Sequence, residues 1–159
     1  MAQAAFHIGG AAFAREVFAS APDDVLVVRL TGSEPLSFRV GLDRPASFRT
    51  RHDGEAGLLM HGRAQMGGGH HKGVHYAARL RVRTDDGEVS PADANTLRVR
   101  EARGVTILLA GATTYRHEDP NAACARVLAA AAGKTYDRLR ADHLAEHRGW
   151  FRRCTLDLG

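Results

Sequence analysis

Cysteine is nearly absent from this chain: only Cys124 and Cys154 occur in 159 residues. A single pair, both members in predicted helical territory, supplies neither a disulfide framework nor a zinc ligand set. Each is expected to be a small buried or half-buried thiol. Aromatic residues make up 6% of the chain, which leaves few platforms on which nucleic-acid bases could stack. No stretch approaches the roughly 20 apolar residues a membrane helix needs, so no membrane partner is expected. The opening MAQAAFHIGGAAFAREVF lacks a basic region followed by a continuous apolar run. No signal peptide is read there, and localisation stays open.

What is present is enough for one ordinary core: 44% of the residues are hydrophobic, and 159 residues are too few for two full domains. The net charge of +4 invites a nucleic-acid reading. Yet the basic residues are almost all arginine and are spread from Arg15 to Arg153, instead of being gathered on one patch. A nucleic-acid partner is therefore ranked last and none is expected.

From Phe6 to about Thr114 a short apolar or alternating run is followed again and again by Gly, Pro or Asp. Strands are expected over Ala12–Ser20, Val25–Thr31, Leu36–Asp43, Ala46–Arg51, Gly57–Gly62, Val74–Thr84, Glu88–Ser90, Thr96–Arg100 and Val105–Thr113, at spacings typical of an all-β sandwich or barrel. Within LSFRVGLD, the period of two puts Leu36, Phe38, Val40 and Leu42 on one face. In YAARLRVR it puts Tyr76, Ala78, Leu80 and Val82 inward and Ala77, Arg79, Arg81 and Arg83 outward, the arginine row reading as a solvated face. The Asp85-Asp86-Gly87 turn then invites an antiparallel return. After Thr114 the texture changes. Asp119-Pro120-Asn121 signals a helix start, an alanine-rich stretch follows, and Gly133 is a natural stop. A second helix from Lys134 to about Arg153 carries Tyr136, Leu139, His143, Leu144, His147, Trp150 and Phe151 as one stripe; Trp150 and Phe151 crowd its C-terminal turn, and the greatest burial is expected where the helix meets the sandwich or an absent partner. The closing FRRCTLDLG reads as that helix running into a new strand and stopping, the expected mark of a cut chain.

Nine histidines, among them His61, His70, His71 and His75, raise the question of a metal. Adjacent His70 and His71 point to opposite faces of an extended chain, no cysteine or paired carboxylate is near, and Gly67-Gly68-Gly69 leads in, so an exposed loop is expected. GGGHHKG leads into a strand where a phosphate loop would open a helix. Asp23-Asp24, Asp85-Asp86 and Glu118-Asp119 sit beside turn formers and read as structural. No serine lies in a G-x-S-x-G elbow, and Cys124 lies in no nucleophile motif. The residues single out no catalytic, cofactor-binding or metal-ligating position, and no cofactor is expected.

Five segments taken in order resemble glycoside hydrolase family 95, the inverting α-L-fucosidases: AFAREVFASAPDDVLVVRLTG (12–32), LSFRVGLDRP (36–45), YAARLRVRTDDGEV (76–89), VTILLAGATTYRHEDPNAAC (105–124) and YDRLRADHLAEHRGWFRRCTLDLG (136–159). The resemblance implies the latter part of an N-terminal β super-sandwich, residues 1–114, followed by a helical linker, 115–159, toward an (α/α)-barrel catalytic domain. The fold expected is thus mainly β, an incomplete antiparallel sandwich followed by two C-terminal helices. The family's opening strands, with their G-N-G-x-L-G type motif, have no counterpart before His7, and the loop from Arg63 to Gly73 is shorter than the family's. Its catalytic acid, and the asparagine and aspartate that activate water, belong to barrel motifs with no match here, so none is carried over. The implied partners are that barrel and, through it, a carbohydrate substrate; unpaired sheet edges imply a homo-oligomer. The alternative from the residues is a stand-alone carbohydrate-binding sandwich, against which stands the inward placement of most aromatics.

Overall fold

Gly9 and Gly10 both adopt positive φ (57° and 88°), as a two-residue hairpin turn demands. They join β1 (Ala2–Ile8) to β2 (Ala11–Ser20) in a computed structural model that describes residues 1–64 and 73–153. The sequence reading missed β1, whose alanine-rich run lacks β-branched residues before Ile8. The remaining strands are β3 (Val25–Gly41), β4 (Phe48–His52), β5 (Gly57–Ala64), β6 (Val74–Thr84), β7 (Glu88–Asp93) and β8 (Thr96–Thr113). Two helices follow, α1 (Pro120–Ala132) and α2 (Tyr136–Phe151). The chain is thus mainly antiparallel β with two C-terminal helices.

The sandwich takes the form of one eight-stranded sheet in the order β1-β2-β3-β8-β6-β5-β4, with β7 added to β8. Two pairs of expected strands are in fact single long ones. Val25–Thr31 and Leu36–Asp43 as far as Gly41 belong to β3, and Thr96–Arg100 and Val105–Thr113 belong to β8. The near halves of these strands pair as Leu26↔Leu109 through Thr31↔Gly104, and the far halves as Phe38↔Val99 through Gly41↔Thr96. Between them the register shifts, Gly32 to Pro35 facing Arg103 alone, and Glu101 takes a positive φ of 52°. Extra residues of this kind bend a strand pair.

The bend brings the far halves of β3 and β8, with β7, over one face of β5 and β6. Leu97, Val99, Phe38, Val40 and Val89 join Leu58, Leu80 and Val82 in one cluster. Leu36, Phe38, Val40 and Leu42 alternate half-buried with exposed neighbours, as expected. The Asp85-Asp86-Gly87 turn forms, with Gly87 at φ 69° under the Arg100 and Glu101 carbonyls. It does not return the chain onto β6, however: β7 pairs with β8. A return onto β6 is blocked because β5 and β8 already occupy both of its edges.

The opposite face of the sheet carries the helices. Val27, Leu59, Ala77, Leu108 and Ala110 meet Ala123, Cys124, Leu128 and Ala131 of α1 and Leu139 of α2 in a second cluster. Alanines on both sides allow a close approach of helix and sheet. Cys124 is buried, as expected, its Sγ 3.5 Å from the Ala77 carbonyl oxygen, and burial pushes its thiol pKa up. Cys154, His70, His71 and the closing residues Thr155 to Gly159 lie outside the described residues.

Candidate functional site

The half-buried charged side chains of this fold gather where the helices sit on the sheet, and β6 positions the first of them. Its period of two sends Ala77, Arg79 and Arg83 to the helix side, so the arginine row is not the solvated face expected: only Arg81 is exposed. Arg79 donates through Nε to Asn121 Oδ1 (2.9 Å) and through Nη1 to Asp53 Oδ2 (2.7 Å). Arg83 Nη1 donates to the carbonyl oxygens of Ala132 (2.7 Å) and Lys134 (2.8 Å). Four residues of strand cover about 14 Å, and the helix from Asn121 to Ala132 covers about 16 Å. Two arginines at that spacing therefore hold both ends of α1. Arg83 also meets the carbonyls a helix C-terminus leaves unpaired, where a cation is favoured. At the other end Asp119 caps α1 by accepting from the Ala122 amide (3.0 Å), and Pro120 opens it as the sequence signals.

Thr135 caps α2 and accepts from the Arg138 amide (3.2 Å). Tyr136 then lies across β2 and β3, its hydroxyl donating to the Glu16 carboxylate, with Arg140 Nε 3.6 Å from Glu16 and the Arg29 guanidinium 5.2 Å from the ring centre. Burial, reinforced by that bond, raises the Tyr136 pKa well above the usual phenol value, while the phenol's bond holds the Glu16 carboxyl below its ordinary range. Arg29 reaches on to Asp85 and to Thr106 Oγ1 (2.9 Å); bonding to Arg29 keeps Asp85 low. Lys134 Nζ sits between Asp23 (2.6 Å) and Asp142 (2.9 Å). Asp23 and Asp85 are structural, as read, though they tie distant elements together as well as their own turns.

Near neutrality these groups keep one charge state: the Tyr136 phenol keeps its proton, and Glu16 and Asp85 stay ionised. A phenol locked onto a carboxylate and carboxylates paired with guanidinium are poor general acids or bases near neutrality. Among the described residues no group of three His, Cys, Asp or Glu side chains is placed to hold a metal. His61 and His75 lie on β5 and β6, not in a loop. Together with Arg51, Tyr76 and Glu118 they border an open cleft of about 450 Å³ at the entry to α1.

Farther along α2 the contact with the sheet ends. Leu139 is fully buried and His143 is 6% exposed, its ring stacked 4.8 Å from Phe18 with both nitrogens unpartnered. His147 and Phe151 continue the stack at 5.8 Å steps along the helix, outward from the sheet. Of the two surfaces expected to cover the aromatic turn, the sandwich does not: Trp150 is 62% and Phe151 73% accessible, with Arg153 over the Trp150 ring. The stripe is covered as far as Leu144, because β2 ends beneath it at Ser20. The clamp residues Arg79, Arg83, Glu16 and Tyr136 were missed as a set, since they meet only when β2, β6 and both helices are assembled.

Residues 1–118 match the model of the glycosyl hydrolase family 65 N-terminal domain. The chain is also 27% identical, over 187 aligned positions, to alpha-L-fucosidase 2 of Arabidopsis thaliana, covering 99% of this chain and 22% of the relative. It thus spans about a fifth of that relative's length. The family 95 resemblance and the matched model have in common an N-terminal domain of a glycoside hydrolase. Because the match takes in the whole sheet from β1 to β8, the chain belongs to the glycosyl hydrolase family 65 N-terminal domain family.

Proposed function

We propose that this chain is the noncatalytic N-terminal sandwich (1–114) and helical linker (115–159) of a family 95 enzyme that hydrolyses α-L-fucosidic or related bonds with inversion. The observation that carries this reading is the use made of the charged groups: Arg79 on Asn121, Arg83 on the end of α1, Arg29 over the Tyr136 ring, Lys134 on Asp23 and Glu16 on Tyr136 and Arg140 fasten two helices to the sheet. The second helix then leaves the sheet with Trp150 and Phe151 exposed. A fastened helix projecting an aromatic end is suited to orient a further domain, here the catalytic barrel of the parent. The relative's name, alpha-L-fucosidase 2, supports the bond class. Inverting hydrolysis needs an acid and a base about 6.5–9.5 Å apart across the sugar, and Glu16, Asp23, Asp53 and Asp85 are already committed to cations or a phenol.

The test is hydrolysis of an aryl α-L-fucoside. No turnover is expected from the purified 159-residue chain, and turnover above a buffer blank would overturn the proposal. A stand-alone carbohydrate-binding module is the second reading, favoured by the cleft at Arg51, His61, His75 and Glu118. Saccharide titration followed by NMR, with shifts confined to those residues, would select it.

A further inference from the structure

Beside the start of α1, three strands turn their cations to one face. Leu59 of β5 packs under the helices, and its partners Arg51 of β4 and Arg79 of β6 share its side of the sheet. Two residues farther along β5, His61 is opposed to Arg49 of β4, and two beyond that Arg63 is opposed to His75 of β6. A period of two keeps these residues on one side. Arg49, Arg51, His61, Arg63 and His75 therefore stand together, and all five are exposed. They border two clefts of about 410 and 450 Å³ that share His61 and His75 in their walls. Elsewhere on this side the chain compensates its cations: Arg29 has Asp85, Arg79 has Asp53, and Arg83 has two carbonyl oxygens. Here it does not. Among the described residues none of the five forms an ion pair, and the bond from Arg51 Nη1 to the His52 carbonyl oxygen (3.3 Å) brings no charge. Of the carboxylates lining the clefts, Asp119 is committed to capping α1, which leaves Glu118.

A cleft lined by one sign of charge concentrates counter-ions, and the arginine fork matches the paired oxygens of an oxyanion. The length of the row says more. Two residues of strand span about 7 Å, so the cations extend about 14 Å from Arg51 to the Arg63–His75 pair. One small anion fills only part of that run; a chain bearing an oxyanion on successive units matches it. No side chain that β4, β5 or β6 sends to this face is Phe, Tyr or Trp, so nucleic-acid bases have no ring to stack on. We propose that this face binds an acidic oligosaccharide, its carboxylate or sulfate groups held by Arg49, Arg51 and Arg63 with His61 and His75 between them. The saccharide half of the inference rests on the carbohydrate-binding reading of the same cleft given above; the anionic half rests on the charge of this face alone.

Titration calorimetry of the 159-residue chain with an oligogalacturonate, a sulfated malto-oligosaccharide and the same malto-oligosaccharide unsulfated tests this. At least one acidic chain is expected to bind about tenfold or more tightly than the neutral one, the tighter of the two naming the group, and to weaken about tenfold or more on a fourfold rise in salt. Equal binding of the neutral chain overturns the proposal and leaves the carbohydrate-binding reading standing; no binding of any of the three overturns both. A single-stranded DNA oligonucleotide that binds more tightly than either acidic saccharide makes this a nucleic-acid face and also overturns the proposal. Arg49→Glu combined with Arg63→Glu should abolish acidic-saccharide binding, with an unchanged circular dichroism spectrum to show that the exposed sites leave the fold intact. Arg39→Glu combined with Arg103→Glu, both exposed elsewhere on the sheet, makes the same change in net charge and should leave most of the binding in place. If the two double variants lose binding equally, net charge alone attracts the ligand and the site is wrong.

Discussion

The two faces of the sheet are stabilised by different means. Under the folded-over halves of β3 and β8 the contacts are wholly apolar: Leu58, Leu80, Val82, Leu97, Val99 and Val105 are all buried, and no ion pair is needed to align them. Under the helices the apolar contacts are smaller, with alanine prominent, and a ring of arginines, carboxylates and Tyr136 supplies direction. Apolar burial is strong and nondirectional, whereas hydrogen-bonded charge specifies one arrangement at modest net gain. The first face therefore sets whether the chain folds. The second sets where the helices point.

The largest effect should come from the apolar face. Leu97→Ala removes a fully buried side chain and should cost about 2–5 kcal/mol, read as loss of the whole structure in urea unfolding. Leu139→Ala, of the same chemistry on the other face, should instead free α2 while the sheet persists. If hydrogen exchange shows both variants losing sheet protection together, the division between the faces is wrong. Next comes Arg79→Met, which keeps the stem but abandons Asp53 and Asn121. It should cost about 1–3 kcal/mol, whereas Arg81→Met on the same strand should stay within about 0.5 kcal/mol, by the same denaturation.

Acid sharpens the comparison further. Burial holds His143 below the ordinary histidine value of 6.5, between Phe18 and His147, with the Ala19 backbone, Glu146 and the chain's amino terminus nearest in charge or contact. The unfolded chain then takes up this proton first. The stability contributed by neutral His143 is complete above the ordinary value and falls as pH drops through the depressed folded one. Docking of α2 should loosen in mild acid, and His143→Leu should flatten that dependence, as followed by the fluorescence of Trp150 and by the melting temperature. The smallest effect belongs to Arg39, whose bond to Asp93 (3.2 Å) lies between two exposed side chains. Arg39→Ala should leave the melting temperature unchanged.

Local pattern made much of the fold legible. The alternation of Leu36 to Leu42 and the Asp119-Pro120 and Gly133 punctuation of α1 appear in the structure as read. Each depends on neighbours within a few residues. The bend that merges expected strands into β3 and β8 was not legible, since the register shift opposite Arg103 exists only between strands far apart in sequence. The same holds for the arginines of β6. Period two told which side they face, but only the packed α1 shows that this side is covered. For Trp150 and Phe151 the period left open whether the sandwich covers them: helical period assigns a stripe and does not tell where the surface beneath it stops.

The long strand β8 has a consequence for how the chain is made. It pairs with β3, β6 and β7 and is, among the described strands, the last to leave the ribosome. Until residues 96–113 emerge, the hairpin β1-β2-β3 and the unit β4-β5-β6 have no strand to join them. Contacts so distant in sequence close slowly, and during that interval β3 and β6 expose open edges. Synthesis through β8 is thus the step at which two separate sheets become one, and a nascent chain stalled before Thr96 should be the species most in need of a chaperone.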